Sequence, residues 1–356
     1  MNTEPSPTPA VTVLMAMYNA VAHLRAAVVS VLAQTFADFE LVIVDDGSTD
    51  DSAAIVESFG DARIRLVRNA ANKGQTACLN QGLALARGAW IARQDADDLS
   101  DPVRLARQMA YLYEHPKTVL LGTAGRQIDG EGRTLGEVRL PVEPWEIRWL
   151  NFFDNSFLHS AVIFRTAVVR DGFGGYDESF RCSQDYALWS QLARQWPVAN
   201  LPEPLIALRV HAASMMRSQT SLLEAETARI QQSNLETEFP NRVFTEADRA
   251  LIGSYRWRLE PVRLRDFHAL VKKMRADFVH RHPAAGPPVR GASARQAAHL
   301  AYNLLPAHRT AAAGELLRAV ATDPAILGEL PWPRLLGLFL LGENARTLYR
   351  KFVPAK

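Results

Sequence analysis

The stretch AWIARQDADDLSDP, Ala89 to Pro102, changes character half-way along. Its first six residues have the look of a buried strand, and Asp95, Asp97 and Asp98 follow within four positions. Carboxylates this close repel one another and raise one another's pKa. A strand that delivers three of them to one point implies a compensating cation or a developing charge. Side chains on an extended segment alternate with period two, so Asp95 and Asp97 fall on the same side. Two such carboxylates make an incomplete oxygen site for Mg2+ or Mn2+, with other positions left for water and phosphate oxygens. The same residues also suit a solvated turn, and Asp98 with Asp101-Pro102 could cap a helix starting near Pro102.

Upstream, the pattern repeats. VTVLMAM (Val11–Met17) is a continuous apolar run of the kind found in parallel strands buried on both faces, and FELVIVDDGS holds a second buried strand over Glu40–Val44 that ends in two aspartates and a Gly-Ser turn. ARIRLVRN supplies a third strand. Helical spacing separates the strands: AVAHLRAAVVSVLAQT, Asp50–Phe59 after the capping residues STDD, and GQTACLNQGLALARG, with Gly88 placed as a C-terminal cap. Alternating strands and helices predict a parallel sheet with crossover helices, whose ligands bind beyond the carboxyl ends of the strands. Tyr18-Asn19, Asp45-Asp46-Gly47-Ser48 and the Asp95–Asp98 cluster all fall at such ends. Asp46 reads equally as a turn residue or as an acceptor for the N–H of a nucleobase. Further on, a mixed helix and strand region runs to about His211. Helices dominate after 220, interrupted by a loop at 282–292. The expected organisation is a disordered tail over 1–10, a catalytic domain over 11–219 divided near 101/102, and a helical region over 220–356.

Composition is that of a globular chain: 356 residues, 48% apolar and 22% charged. Its two cysteines, Cys78 and Cys182, match no metal or redox spacing. The start of the chain lacks the basic and apolar regions of a signal peptide, and no window is apolar enough to span a bilayer. A cytoplasmic location is therefore expected. Residues 1–255 carry 23 Lys/Arg against 31 Asp/Glu, whereas 256–356 carry 17 against 7. That basic last third suits an anionic surface. The aromatic-interleaved basic motifs of nucleic-acid binders are missing, so nucleic acid is not the expected partner. The segment 331–352, an apolar block followed by Arg346, Arg350 and Lys351, reads either as peripheral contact with the inner face of the cytoplasmic membrane or as a helix packed on the protein or on another subunit.

Taken together, VTVLMAMYN, FELVIVDDGSTDDS, NKGQTACLNQGLALARGAWIARQDADD and GGYDESFRCSQDYALWSQLA resemble the family 2 glycosyltransferases of the GT-A fold. The likeness runs from about Val11 to Ser214. It implies an α/β catalytic domain, with a Rossmann-like, mainly parallel sheet flanked by helices, and leaves the helical C-terminal extension unexplained. It also implies an inverting, metal-dependent transfer of a hexose-type sugar from a nucleotide sugar, most simply a UDP-sugar, to a carbohydrate or lipid-linked acceptor in polysaccharide assembly.

Residue by residue, the resemblance assigns the nucleoside to Ala16, Tyr18, Asn19 and Asp46. It maps the Asp-x-Asp to Asp95-Ala96-Asp97 and an Asn-x-Gly segment to Asn72-Lys73-Gly74, where Lys73 could neutralise phosphate; with Leu79 in place of the family's arginine, Lys73 or Arg93 would carry more of that contact. Asp97 would be the direct ligand of Mn2+ or Mg2+, and Asp95 would face ribose or metal. His211 either completes the metal shell or contacts diphosphate, or else is structural, and Arg209 would offset diphosphate charge. The general base maps to Asp185, in the first turn of a helix whose dipole would keep it ionised. His159 either lines the acceptor cleft or is a strand histidine. The chain departs from the family pattern at Ala16 (for Pro), Leu79 (for Arg) and Gln184 (for Glu). The last replacement removes a charge beside the base and leaves Gln184 on the acceptor side. Two other readings remain open: a nucleotidyltransferase, though no early Gly-rich phosphate loop is present, and a non-catalytic nucleotide-sugar-binding relative.

Overall fold

The computed structural model describes residues 8–210, 220–255, 259–304 and 308–328. Most of the 1–10 tail, His211 and the 331–352 segment lie outside them. The chain splits into two compact units, Met1–Pro144 with Asn155–Glu226, and Trp145–Asp154 with Thr227–Lys356. The second unit thus takes a short piece from the middle of the chain, which the sequence places in the acceptor half.

The first unit is built on a nine-stranded sheet in the order β3-β2-β1-β4-β8-β6-β9-β5, with β7 paired to β6. Its strands are β1 (Val11–Met17), β2 (Phe39–Asp45), β3 (Ile64–Arg68), β4 (Trp90–Arg93), β5 (Leu99–Ser100), β6 (Leu120–Ile128), β7 (Thr134–Val138), β8 (Ile163–Arg165) and β9 (Val198–Arg209). The first four are mutually parallel, and β6 and β9 share their direction, while β5, β7 and β8 run against it. The mainly parallel sheet is therefore present.

Every residue of β2 and β4 is buried, as an uninterrupted apolar run requires. Helices α1 (Leu24–Leu32), α2 (Ser52–Glu57), α3 (Gln75–Leu85) and α4 (Arg104–Glu114) link the early strands. Register aligns the working ends: Met17 lies beside Asp45, and Leu14 beside Arg93. The loops after β1, β2 and β4 consequently leave the sheet at one rim. Later in the chain come α5 (Pro144–Leu150), which from Trp145 belongs to the second unit, and α6 (Gln184–Gln195).

Several local expectations are corrected. The helix after β2 spans only Ser52–Glu57, and its N-cap makes no side-chain bond. The polar residues in front of it reach sideways instead: Ser52 Oγ accepts the Ala20 N–H, and Asp50 accepts those of Val21 and Ser52. Gly88 is not the cap of α3, which ends at Ala86 in extended backbone. It is glycine because α3 hands the chain to β4 directly over β1, where a Cβ on Gly88 would stand 2.4 Å from the Thr12 backbone nitrogen. Asp98 does not cap α4, whose N-cap is Val103.

The second unit is helical: α7 (Thr220–Glu238, which begins in the first unit), α8 (Glu246–Ser254), α9 (Leu264–Arg281), α10 (Gly286–Leu304) and α11 (Arg309–Thr322). Its core gathers Trp149, Phe152 and Phe153 with Phe239, Phe267, Met274 and Phe278. Only a 3-10 turn, Pro283–Ala285, separates α9 from α10, so most of the expected loop at 282–292 is helix. Pro287 and Pro288 lie in the first turn of α10, where a missing N–H costs no helical bond. Among the described residues no helix is long and apolar enough to cross a membrane.

Replacing Gly88 with Ala forces backbone apart at the start of β1. The expected loss is about 1–3 kcal/mol, read as a lower urea midpoint with unchanged slope. An unchanged midpoint would show that the close approach is not constraining.

Candidate active site

At the end of β4 the chain places Arg93 with its side chain fully buried. Its guanidinium donates through Nε to His159 Nε2 at 3.2 Å, through Nη1 to the Gln94 carbonyl, and through Nη2 to Asp95 Oδ1. A phosphate role for Arg93, which the family likeness implies, does not fit this burial. The arginine instead neutralises the first aspartate of the cluster from below. Asp95 keeps 28% of its side chain exposed, and its backbone N–H donates to the Ser160 hydroxyl oxygen at 2.8 Å. Burial pushes its pKa up, but Arg93 and His159 outweigh that and hold it below the usual carboxylate value.

Asp98 behaves in the opposite way. Burial, then Asp95 and Asp97, push its pKa well above the ordinary range, against the lowering bond from the Arg209 N–H. That 2.8 Å bond ties the aspartate turn to β9. The Arg209 guanidinium binds the carbonyls of Asp97, Asp129 and Gly130, so it is a staple for the turn rather than a diphosphate ligand. Beneath the turn lies buried Arg104. Its five N–H donors meet five acceptors: Gln108, Gln94, Ser100 and the carbonyls of Arg93 and Val162. Burial pushes it down to about 9, with Asp98 opposing and Arg93 adding to the fall.

The nucleoside-side residues line the same rim. Ala16 pairs with Val44 near the end of β1. Tyr18 follows with half of its surface exposed. Asn19 sits at φ 48°, an uncommon left-handed position for a residue other than glycine. Its side-chain carbonyl accepts the Thr49 N–H and its own N–H donates to Ser48, so the β2 loop clasps the β1 loop.

Asp46 is almost fully buried and accepts three N–H bonds, from Lys73 (2.8 Å), Gly74 (2.8 Å) and the Asn69 amide (3.2 Å). Burial raises its pKa, but these bonds and one from Cys78 bring it below the ordinary value. Its structural use is thus plain: it fixes the turn that starts α3. Gly74 there has φ 95°, which requires glycine. The Lys73 side chain is exposed.

Asp185 is the second residue of α6. Burial pushes its pKa up to about 6, partly offset by the Tyr186 N–H and by the Asn155 amide, which donates to Oδ2 at 2.9 Å. Desolvation therefore outweighs the helix N-terminus that was expected to keep it strongly ionised. Gln184 is 2% exposed, so it lines no open acceptor surface. It donates to Gln75 at 3.3 Å, and Gln75 in turn donates to Asp95 at 3.4 Å, a relay joining the two carboxylate sites. His159 opens a 3-10 turn rather than a strand. Burial and Arg93 lower it to about 3, leaving a neutral ring that accepts from Arg93 and packs edge-on to Tyr176.

Among the described residues no three His, Cys, Asp or Glu side chains gather as a metal cage. The donors present still fit a divalent ion that keeps substrate oxygens and water. Asp95 receives both of its side-chain hydrogen bonds at Oδ1, and Asp97 is half-buried on the same turn.

This geometry is accompanied by sequence likeness. A sequence model described as Glycosyl transferase family 2 matches residues 12–168. The putative glycosyltransferase EpsE of Bacillus subtilis (strain 168) is 33% identical over 215 residues, 59% of this chain and 76% of EpsE. The chain belongs to glycosyl transferase family 2. WbnJ of Escherichia coli, an O-antigen biosynthesis glycosyltransferase, is 28% identical over 222 residues, 60% of this chain and 85% of WbnJ. The amylovoran biosynthesis glycosyltransferase AmsE of Erwinia amylovora is 32% identical over 203 residues, 56% of this chain and 75% of AmsE. The family fold is also that of S. aureus TarS 1-349, solved in complex with UDP-GlcNAc. That comparison has a TM-score of 0.55 at 18% identity and covers 90% of this chain and 92% of TarS 1-349.

Within this family member, sequence reasoning missed Asn155, Gln75 and Arg104. Asn155 lies in the acceptor-like segment NSFLHSAVIFR, but its bond to Asp185 joins loci 30 residues apart. Replacing Asn155 with Leu keeps the volume and removes a donor that favours the ionised base. The Asp185 titration, followed by its carboxyl 13C shift, should then move above about 6. A midpoint that stays or falls would contradict this role for the amide.

Proposed function

We propose that the protein is an inverting glycosyltransferase that moves a sugar from a nucleoside diphosphate sugar, taken as a UDP-sugar, onto an acceptor hydroxyl during polysaccharide or glycoconjugate assembly. The observation that carries this reading is Asp185: a carboxylate at a helix start, held by Asn155, with its pKa raised to about 6. Such a group is ionised near neutral pH yet basic enough to take a proton from a hydroxyl. The acceptor oxygen, as it loses its proton to Asp185, attacks the anomeric carbon from the face opposite the diphosphate. Inversion then follows from one displacement, with no covalent enzyme intermediate.

The donor's half is taken as 11–101 and the acceptor's as 102–219. The loops at Tyr18-Asn19 and Asp46 support a nucleoside there, and the exposed Lys73, whose backbone N–H donates to Asp46, is the cation taken for its phosphates. A divalent ion, Mn2+ or Mg2+, held by Asp97 and Asp95 would supply neutralising charge for the departing diphosphate. The names of WbnJ and AmsE, which state O-antigen and amylovoran biosynthesis, support a polysaccharide acceptor.

The test is a panel of UDP- and GDP-sugars with Mn2+, read by nucleotide release and thermal shift. One donor should stabilise the protein and slowly release its nucleoside diphosphate; pyrophosphate release would instead identify a nucleotidyltransferase, and binding without turnover a non-catalytic relative. On the selected donor, Asp185→Asn should lower turnover by roughly 10²–10⁴-fold while sparing donor binding. The parental rate should fall as pH drops through about 6, because protonating Asp185 removes the base. Parental turnover in Asp185→Asn would rule out the assignment.

A further inference from the structure

The loop leading into α6 is held by a carboxylate that comes much later in the chain. Arg181 N–H donates to Glu226 Oε1 at 2.7 Å, and the N–H groups of Cys182 and Ser183 donate to Oε2 at 2.9 Å each. Glu226 is 5% exposed and lies on α7, in the part of that helix belonging to the first compact unit. Its charge adds to the Coulomb influences on Cys182, whose thiol burial also pushes up.

Ser183 is the N-cap of α6, and no side-chain bond closes that cap. In a capping box, the third residue of the helix reaches back to the N-cap N–H. Here that position is Tyr186, which has no carboxylate to offer. Glu226 does the same work from 43 residues away, and it secures the two preceding N–H groups as well. Hydrogen bonds to an ionised acceptor are shorter and stronger than neutral ones. Three on one buried carboxylate therefore fix this backbone firmly, two residues before Asp185.

We infer that Glu226 is a positioning residue for the transfer reaction: by holding the backbone of 181–183 it sets where α6, carrying Gln184 and Asp185 in its first turn, enters the site. The inference rests on the reading of Asp185 as the base, and assigns Glu226 no contact with substrate. It gives α7 a task in the chemistry although Glu226 lies beyond the 12–168 family match. Displacing a reacting group by about 1 Å can cost roughly 10²-fold in rate, so modest loosening of this loop reaches the base.

The test compares the full-length protein with Glu226→Gln and Glu226→Asp. Glutamine keeps the shape, but it removes the charge and turns one acceptor into a donor facing a backbone N–H. Amide exchange at 181–183 should quicken while β1, β2 and β4 stay protected. On the donor selected above, kcat should fall by roughly 10- to 100-fold, with KM and the thermal shift from UDP and Mn2+ unchanged. Glu226→Asp, which keeps both oxygens, should recover part of kcat. Parental kcat in Glu226→Gln overturns the inference, as does unchanged exchange. So does an equal loss of kcat and UDP binding in both variants, which marks a general folding role. Asp185→Asn run alongside separates the claims: if it retains parental turnover the base assignment fails, whereas an inactive Asp185→Asn beside a fully active Glu226→Gln sinks only the role of Glu226.

Discussion

The buried ion pair between Arg93 and Asp95 is the constraint on which the rim of this sheet depends. A short strand that ends in three aspartates would push its own turn apart, and the structure answers with cations from three directions. Arg93 neutralises Asp95 from the end of β4, Arg209 binds the turn's backbone from the end of β9, and Arg104 lies fully bonded beneath. Burial and the neighbouring Asp95 and Asp97 push the pKa of Asp98 well above the ordinary carboxylate range. The turn is thereby stiff before any ligand arrives, with Asp95 and Asp97 left at the surface of a rigid support. Breaking a buried pair by removing one partner typically costs about 3–5 kcal/mol, which gives a sense of how much the turn rests on Arg93.

That support is shared by the acceptor side. His159 accepts from Arg93, and Gln184 reaches Asp95 through Gln75, so the loops carrying Asp95 and Asp185 are joined by short polar links. The Gln184 substitution fits this arrangement. A glutamate in its buried place would add a negative charge close to Asp185, whose pKa burial already raises. With glutamine there, no such charge adds to the rise, and the Asp185 carboxyl stays at about 6.

Much of the nucleotide-side architecture is legible in the chain. The apolar run at Val11–Met17 and the strand read at Glu40–Val44, which the structure extends to Phe39–Asp45, give parallel strands, and strand ends give the rim. Cation identity is the part that misleads. Arg93, beside the aspartates in sequence, and Arg209, more than a hundred residues later, both look like ligands for phosphate charge, yet both bond to the aspartate turn instead. Sequence spacing carries no sign of such a competition. Asn155 and Glu226 were hidden for a different reason: one bonds to Asp185 and the other to the backbone just before it from far along the chain, and single residues at such separations leave no periodic trace. The helix over Gly286–Leu304 was obscured by its two prolines, which local reading takes as a break but which the first helical turn accepts.

The central claim is that Asp97 and Asp95 form the protein's side of a cation site that works together with a nucleotide. It is tested most directly by titrating Mn2+ against the protein in the presence of UDP and following the electron paramagnetic resonance signal of unbound metal. The account predicts saturable binding by the parent protein and roughly 10- to 100-fold weaker binding by Asp97→Asn, a loss of the size that follows damage to a metal site. Equal Mn2+ affinity in the two proteins would contradict it.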